Sequence, residues 1–171
     1  MEPGRRIKLG ISSCLQGNNV RYDGGNRLDR NLLGNFGASV EWVPVCPEVE
    51  CGLPAPREAM QLVLHGDMLR LMTITSGIDR TDRLLQWAEG KLAGLAREGL
   101  SGFVFKARSP SCAVRDALFV FPDGSEAGRG PGLFSAAFVR HFPRLPVAEE
   151  EGLRNPAALK RFLDRATGCC S

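Results

Sequence analysis

Short apolar runs recur along the chain, and each ends at a polar or glycine-rich cluster that is typical of a turn. Continuous apolar runs of this length predict buried strands. The runs at 61–64 and 69–72 flank the turn residues 65–67, so together they predict a hairpin. The predicted strands cover residues 7–13, 40–45, 61–64, 69–72, 102–106, 117–121 and 146–147.

Helical spacing of apolar residues is clearest over 81–98. Leucine and alanine recur there every three or four positions, and Gly99 ends the segment. Further helices are predicted at 27–34, 134–141 and 155–167. Because strands and helices alternate, the expected fold class is α/β, a Rossmann-like domain with a mainly parallel sheet flanked by helices.

Two irregular segments are predicted between these elements. Residues 46–54 form a loop rich in proline and glycine. Residues 126–131 form a second, glycine-rich loop, and Gly128, Gly130 and Gly132 are expected to make it a flexible cover for a pocket. The Gly-x-Gly-x-Gly pattern does not follow a first strand, so it does not indicate a dinucleotide site.

Composition indicates one ordinary globular domain. The chain has 171 residues, so a single domain is predicted over 1–171, with a frayed tail at about 168–171. Hydrophobic residues make up 43% of the chain and charged residues 24%, which argues against disorder. The net charge of +3 is too small to indicate a protein that binds a nucleic-acid duplex.

The N-terminal sequence predicts a cytoplasmic protein. The apolar stretch at 7–11 is short, and Lys8 and Gly10 interrupt it, whereas a secretory signal needs a longer apolar run. No run approaches the roughly 18 apolar residues of a membrane span. Disulfides are rare in the cytoplasm, so several cysteines there more often bind metal or take part in catalysis.

The chain has six cysteines and only two histidines. Cys14, Cys46 and Cys112 follow predicted strands directly or within a few residues. In an open parallel sheet, ligands bind beyond the carboxyl ends of the strands, so three thiols are expected to meet there. Sulfur ligands select zinc, Cu(I) or iron–sulfur clusters, and a cluster on three cysteines leaves one iron open to a substrate atom. The alternative is that all three are simply small buried residues.

The other three cysteines have weaker interpretations. Cys51 shares a loop with Cys46 and is a fourth ligand, a neighbour of the site or a buried residue. These two thiols also allow a redox protein, although their C-x4-C spacing opens no helix as redox motifs do. A metal site with a structural or sensing role is a further alternative. Cys169 and Cys170 are interpreted as spare thiols on the tail.

Three motifs around these cysteines resemble those of the thiouracil desulfidase family. They read GISSCLxGxxVRYDG at 10–24, VPVCPExxCGLxxPR at 43–57 and KxxSPSC at 106–112. The resemblance extends over about 7–142, and Ala113 stands where a glycine usually follows the third cysteine. Three long motifs in the same order are far more specific than any one of them alone.

The resemblance implies a [4Fe–4S] cluster held by Cys14, Cys46 and Cys112. It implies an enzyme that removes sulfur from thiolated pyrimidines such as 2- or 4-thiouracil, which gives uracil and sulfide without net redox change. The open iron would capture the thione sulfur, and water would attack the ring carbon. The expected partner is a small thiolated nucleobase or nucleoside, with neither a membrane nor a nucleic-acid duplex involved.

This chemistry needs a group that moves protons. Glu48 is the predicted general acid and base, because it lies two residues after a ligand cysteine. Glu50 is the alternative. Ser109 and Ser111 flank a proline before the third cysteine, and one hydroxyl is expected to hold the water or a pyrimidine carbonyl. The resemblance favours Ser109 for catalysis, which leaves Ser111 for substrate binding; turn formation is the other interpretation of both serines.

The loop after the first ligand cysteine is the predicted substrate-binding segment. Tyr22, the only tyrosine, is expected to stack on a pyrimidine ring, and Asp23 is expected to bind ring nitrogens. A pair of Arg21 and Asp23 that only anchors the loop is the alternative. Ser12 and Ser13 are expected to donate hydrogen bonds to cluster sulfurs and so to tune the cluster.

Overall fold

The computed structural model describes residues 6–168 of the chain. Within that part, the backbone forms eight strands and five α-helices. The strands are β1 (Ile7–Ser12), β2 (Val40–Val45), β3 (Met60–His65), β4 (Met68–Thr73), β5 (Gly102–Phe105), β6 (Ala117–Val120), β7 (Glu126–Gly130) and β8 (Val147–Glu149). The helices are α1 (Arg30–Phe36), α2 (Pro47–Glu50), α3 (Thr81–Glu98), α4 (Leu133–His141) and α5 (Pro156–Gly168).

The first sheet has four parallel strands in the order β2-β1-β5-β8. All four residues of β5 are buried, as a continuous apolar run predicts for a central parallel strand. Gly10 on β1 lets the Phe103 ring of β5 pack directly on the backbone, because a Cβ there would lie 2.1 Å from Phe103 Cδ2. The prediction of an α/β fold with a mainly parallel sheet is confirmed.

Helices cover both faces of this sheet. On one face, the rings of Phe103 and Phe105 stack with their centroids 4.1 Å apart and pack against Phe134 of α4 and the apolar side of α3. On the other face, Val104 packs in a second cluster that includes Phe162 of α5 and residues of α1. Burial of these apolar side chains holds the strand ends in fixed positions.

A second sheet has the order β4-β3-β6-β7. Its antiparallel strands β3 and β4 form the predicted hairpin. The prediction of a flexible loop at 126–131 is wrong, because most of this segment is β7, paired antiparallel to β6. Gly130 lies against the Phe119 ring, where a Cβ would be 2.6 Å from Phe119 Cζ. Gly128 and Gly130 are therefore strand residues and not a cover for a pocket.

Local capping sets the ends of the helices. The predicted helix at 81–98 is α3. Helix α1 begins at Arg30 rather than at residue 27, because Asp29 accepts a hydrogen bond from the backbone N–H of Leu32 at 2.9 Å. None of the helices in the described part of the chain combines the length and the hydropathy that a membrane span needs.

Helix α2 lies inside the segment that the sequence predicts to be a loop, so that prediction is wrong at 47–50. Pro47 takes the first helical position, where its missing N–H has no cost. Glu50 folds back to accept the N–H of Cys46 at 2.8 Å. The C-terminal end of the chain stays a prediction, since Cys169 and Cys170 lie outside the described residues.

Two acidic side chains near the end of β8 share a partly buried position. Burial raises the pKa of Glu149 to about 7, and a hydrogen bond with Asp116 and the charge of that residue add to the rise. Asp116 also accepts the backbone N–H of Arg108 at 2.8 Å. Burial opposes ionisation of Asp116 as well, but its hydrogen bonds with Glu149 and Arg108 outweigh it and lower the pKa of Asp116, so only Glu149 is partly ionised near neutral pH.

This pair is expected to make the free energy of unfolding fall as the pH rises from about 4.5 to about 7. Between these pH values the folded chain holds a proton on Glu149 that the unfolded chain has already released. The stabilisation is therefore complete below about pH 4.5 and lost above about pH 7. Glu149→Gln should remove this dependence, which is on the order of 1 kcal/mol for a partly solvated group. Urea unfolding at about pH 5 and about pH 8 measures it.

Glu126→Gln is the control for that change, because Glu126 is an exposed carboxylate on β7. It should leave the dependence on pH as it is in the unaltered chain. An unaltered dependence in Glu149→Gln would show that the raised pKa has no part in it.

Candidate functional site

The ends of three neighbouring strands border a cavity of about 480 Å³ at the carboxyl edge of the first sheet. Cys14 lies in a short turn of 3-10 helix after β1, Cys46 follows β2 directly, and Cys112 lies in the loop after β5. Since β2, β1 and β5 are adjacent in the sheet, the three cysteines reach the same edge. The structure thus brings all three to the wall of one cavity, and their role as metal ligands stays a prediction.

Cys14 and Cys112 are buried, Cys46 is partly buried, and the charges of Cys46 and Cys14 act on Cys112. Burial raises the pKa of Cys46 to about 11 and raises the pKa of Cys14. Burial also raises the pKa of Cys112, a hydrogen bond from Ser12 opposes that rise, and the charges of Cys46 and Cys14 add to it. Such thiols stay protonated at neutral pH, and the positive charge of a bound metal converts them to thiolates. Ser13 lines the same cavity.

The chemistry of three sulfur donors fits an iron–sulfur cluster. Within residues 6–168, no three His, Cys, Asp or Glu side chains converge closely enough to hold one metal ion. Zinc needs its sulfur ligands about 2.3 Å from one centre, whereas cysteines that hold a cluster bind different irons. Three thiols that border one cavity from separate strand ends fit a [4Fe–4S] cluster with one iron free of protein ligands.

Cys51 and Glu50, the alternatives for a fourth ligand and for the proton-transfer group, do not line the cavity. The Cys51 thiol donates to the carbonyl oxygen of Glu48 at 3.2 Å. Glu50 accepts the N–H of Cys46 at 2.8 Å and the ammonium of Lys91 at 2.7 Å. Both side chains therefore stabilise α2 and its contact with α3.

Glu48 lines the cavity from α2, with 12% of its side chain exposed. Its Oε1 accepts the hydroxyl of Ser111 at 2.8 Å. Its Oε2 accepts Nε of Arg57 at 2.9 Å and also Nη2 of the same guanidinium. Each carboxylate oxygen has two lone pairs, so Oε1 can still accept from a water molecule. A carboxylate held in one orientation at the cavity wall suits proton transfer.

Arg57 is a residue of the site that sequence reasoning missed, although it ends the second motif. Its side chain is 7% exposed, and its Nη1 donates to the carbonyls of Val20 at 2.9 Å and Pro54 at 3.1 Å. Its backbone N–H donates to the carbonyl of Tyr22 at 2.8 Å. Arg57 thus ties the carboxylate of Glu48 to the loop after β1. The sequence carries no periodic signal for contacts over such separations.

Ser109 and Ser111 have different partners. Ser109 Oγ accepts the backbone N–H of Ser111 at 3.2 Å and of Cys112 at 3.1 Å, so it shapes the turn that carries the cysteine. The hydrogen of its hydroxyl is not used in these bonds and remains available to a bound molecule. Ser111 is fully buried and gives its hydroxyl to Glu48. A role of Ser111 in substrate binding stays a prediction.

The loop after β1 brings Tyr22 to the cavity wall, where 44% of the residue is exposed. The guanidinium carbon of Arg21 lies 5.4 Å from the centre of its ring. Asp23 does not line the cavity. It accepts the N–H of Gly25 at 2.9 Å and lies 3.8 Å from Arg21 Nε and 4.0 Å from Arg27 Nη2. These contacts anchor the loop, which is the alternative interpretation of Arg21 and Asp23. A role of Asp23 in substrate binding stays a prediction.

Gly132 lets the start of α4 approach the loop of the third cysteine. A Cβ at this position would lie 2.5 Å from the carbonyl carbon of Ser111 and 2.8 Å from the backbone nitrogen of Cys112. The N–H of Gly132 donates to the carbonyl of Ala113 at 2.8 Å. This glycine therefore fixes the position of Cys112 by close backbone packing and does not serve a mobile loop.

Gly132→Ala is expected to displace the cysteine loop, to lower the free energy of unfolding by about 2 kcal/mol and to weaken iron retention. Gly94→Ala in α3 is the matched control, because its new Cβ meets nothing within 4 Å. That change should be neutral or stabilise by up to about 1 kcal/mol. Urea unfolding and iron content measure both variants. If Gly132→Ala matches the unaltered chain in both respects, the packing account is wrong.

A parallel α/β sheet that delivers three thiols and a fixed carboxylate to one cavity is the arrangement of a cysteine-ligated metalloprotein. A family model described as 2-thiouracil desulfurase matches residues 9–150. The chain belongs to the 2-thiouracil desulfurase family, as its three motifs imply. No curated protein sequence matches it.

Among solved structures, the chain is similar to a protein described as the [4Fe–4S]-dependent thiouracil desulfidase TudS. The two are 31% identical, with a TM-score of 0.70. The match covers 91% of this chain and 99% of that chain.

Proposed function

We propose that this protein removes sulfur from thiouracil to give uracil and sulfide, with a [4Fe–4S] cluster held by Cys14, Cys46 and Cys112. The observation that carries the proposal is the meeting of three strand-end thiols with Glu48 in one cavity. Membership of the 2-thiouracil desulfurase family and the similarity to a solved [4Fe–4S]-dependent thiouracil desulfidase support the same function.

A cluster bound at these thiols would supply an iron without a protein ligand, which acts as a Lewis acid toward the soft thione sulfur. A hydrogen bond from the chain favours the thiolate form that this ligation needs. Burial raises the pKa of Cys112, and the hydrogen bond from Ser12 opposes the rise by stabilising the thiolate. Ser12 is thereby the serine that tunes the sulfur ligands.

The reaction is a hydrolysis. The oxygen of water bonds to the ring carbon, the C–S bond breaks, and thiouracil and water become uracil and hydrogen sulfide with no change in oxidation state. Glu48 takes a proton from the attacking water and returns it to the departing sulfur. Arg57 and Ser111 hold the carboxylate during both transfers. The free hydrogen of the Ser109 hydroxyl holds the water or the pyrimidine carbonyl.

The substrate is a small thiolated nucleobase or nucleoside. A cavity of about 480 Å³ lies within the range of small-molecule sites and accommodates a pyrimidine. Tyr22 at the cavity wall stacks on the ring. Asp23 binds ring nitrogens after a movement of its loop. Ser111, which is buried at the cavity wall, takes part in substrate binding.

The protein acts in the cytoplasm. Ligation of a cluster requires reduced thiols, and the cytoplasm is the compartment that keeps thiols reduced. Cys14, Cys46, Cys51 and Cys112 are all free in the structure, which suits this environment.

Anaerobic reconstitution with iron and sulfide, followed by incubation with 2-thiouracil or 4-thiouracil, tests the function. We expect a brown protein with about four irons per chain that releases uracil and sulfide in equal amounts. A colourless zinc protein after reconstitution would favour a structural metal site. A brown protein that releases no sulfide would favour a sensing module. Either result would overturn the proposal.

A further inference from the structure

Beside the third cysteine loop, two opposite charges are buried together. Lys106 follows β5 and Glu150 follows β8, and their Nζ and Oε1 atoms lie 2.7 Å apart, with side chains only 12% and 3% exposed. Glu150 Oε2 accepts the backbone N–H of Ala107 at 2.7 Å. Lys106 Nζ also donates to the carbonyl of Ala107 at 3.0 Å. Glu150 therefore fixes the position of the ammonium group.

The two partners have different relations to the cavity. Lys106 lines it together with Cys14, and Glu150 does not. The positive charge thus borders the cavity, and the negative charge lies away from it. Burial of an ion pair is often no more stabilising than an apolar pair of equal volume, so stability alone does not account for charges at this place.

The charge of Lys106 is also available to a bound molecule. An ammonium group has three N–H donors, and two are used by Glu150 and Ala107, which leaves one. Lys106 lines the same cavity as Cys14, Cys46 and Cys112, so its remaining donor lies beside the thiols.

We infer that Lys106 stabilises the negative charge of the sulfur that leaves the substrate, and that Glu150 is the positioning residue that holds the ammonium there. The inference rests on the proposed function. When the C–S bond breaks, the sulfur keeps the bonding electron pair and becomes an anion, while the ring carbon gains the oxygen of water. Lys106 neither gives nor takes a proton in this step, and its charge favours the anion.

Binding of sulfide to the iron-loaded protein tests this role without turnover. Sodium sulfide is added anaerobically, and the change in the visible absorption of the cluster gives the dissociation constant. Lys106→Gln is expected to weaken sulfide binding by roughly tenfold or more. Lys160→Gln removes the same charge from an exposed pair with Asp164 on α5 and should leave binding unchanged.

Glu150→Gln distinguishes a charge effect from a structural one. It removes the negative charge, and its one amide oxygen can still accept from the ammonium and hold it in place, so sulfide binding should stay equal or tighten, opposite to the effect of Lys106→Gln. If Lys106→Gln alone fails to fold or to hold iron, the double variant Lys106→Gln/Glu150→Gln replaces it, since no unpaired buried charge remains. The double variant should hold iron and bind sulfide more weakly than the unaltered protein.

Three results would overturn the inference: sulfide binding of unaltered strength in an iron-loaded variant that lacks Lys106, loss of iron from the double variant, or no sulfide binding by the unaltered protein. Release of sulfide from thiouracil by the unaltered protein is measured in the same samples. If that release is absent, the proposed function fails. If it is present and Lys106→Gln binds sulfide normally, only the inference about Lys106 fails.

Discussion

Replacement of Cys112 by alanine is expected to abolish both iron binding and sulfide release. The thiol is buried, the charges of Cys46 and Cys14 act on it, and no fourth cysteine of the described residues lines the cavity to replace it. Alanine removes only the sulfur atom, so the chain should still fold. Iron and acid-labile sulfide per chain after anaerobic reconstitution, with circular dichroism for the fold, measure the effect. Cys14→Ala and Cys46→Ala should behave alike.

Cys51→Ala is the matched control for this series. Its thiol donates to the carbonyl of Glu48 and lies outside the cavity wall. We expect this variant to keep its iron and its activity. A full complement of iron in Cys112→Ala, or loss of iron from Cys51→Ala, would show that the ligands are assigned wrongly.

Glu48→Gln is expected to keep the cluster and to lose at least about 100-fold in the rate of uracil formation. Glutamine has nearly the same shape, and its carbonyl can still accept the Ser111 hydroxyl or a donor from Arg57. It cannot accept a proton from water. The rate is measured on protein with the same iron content as the unaltered enzyme, so that loss of the cluster does not enter the comparison.

Glu50→Gln provides the comparison at the neighbouring carboxylate. Glu50 contacts Cys46 N–H and Lys91 and does not line the cavity, so its replacement should change the rate little. A rate in Glu48→Gln equal to that of the unaltered enzyme, or a larger loss in Glu50→Gln, would refute the assignment of Glu48.

The edge of the sheet that carries the site was predictable because its signals are local. Apolar runs define β1, β2 and β5, and a cysteine follows each run. Strand β7 was not predictable, because its glycines are typical of a loop. The reason for Gly130 is the close packing of a ring on the neighbouring strand β6. Phe119 occupies the space that a Cβ on Gly130 would need. Likewise, α2 depends on the fold-back of Glu50 to Cys46 inside a segment rich in turn residues.

In the site, residues were predictable where a motif places them beside a cysteine, as for Glu48 and Ser109. Contacts between distant segments were not. Arg57 binds the carbonyl of Val20 from another part of the chain. Glu150 belongs to an acidic run at 149–151, which is typical of a solvated surface, yet it is 3% exposed because β8 brings it to Lys106. Burial of a charge depends on tertiary packing, which no local pattern encodes.

The most direct test of hydrolysis at this site is mass spectrometry of the uracil formed from thiouracil in water enriched in heavy oxygen. The iron-loaded protein should place one solvent oxygen in each uracil and release one sulfide with it. Uracil incubated under the same conditions without enzyme controls for spontaneous exchange. Uracil that carries no solvent oxygen, or sulfide released without uracil, would contradict a Glu48-assisted attack of water at the three-cysteine site.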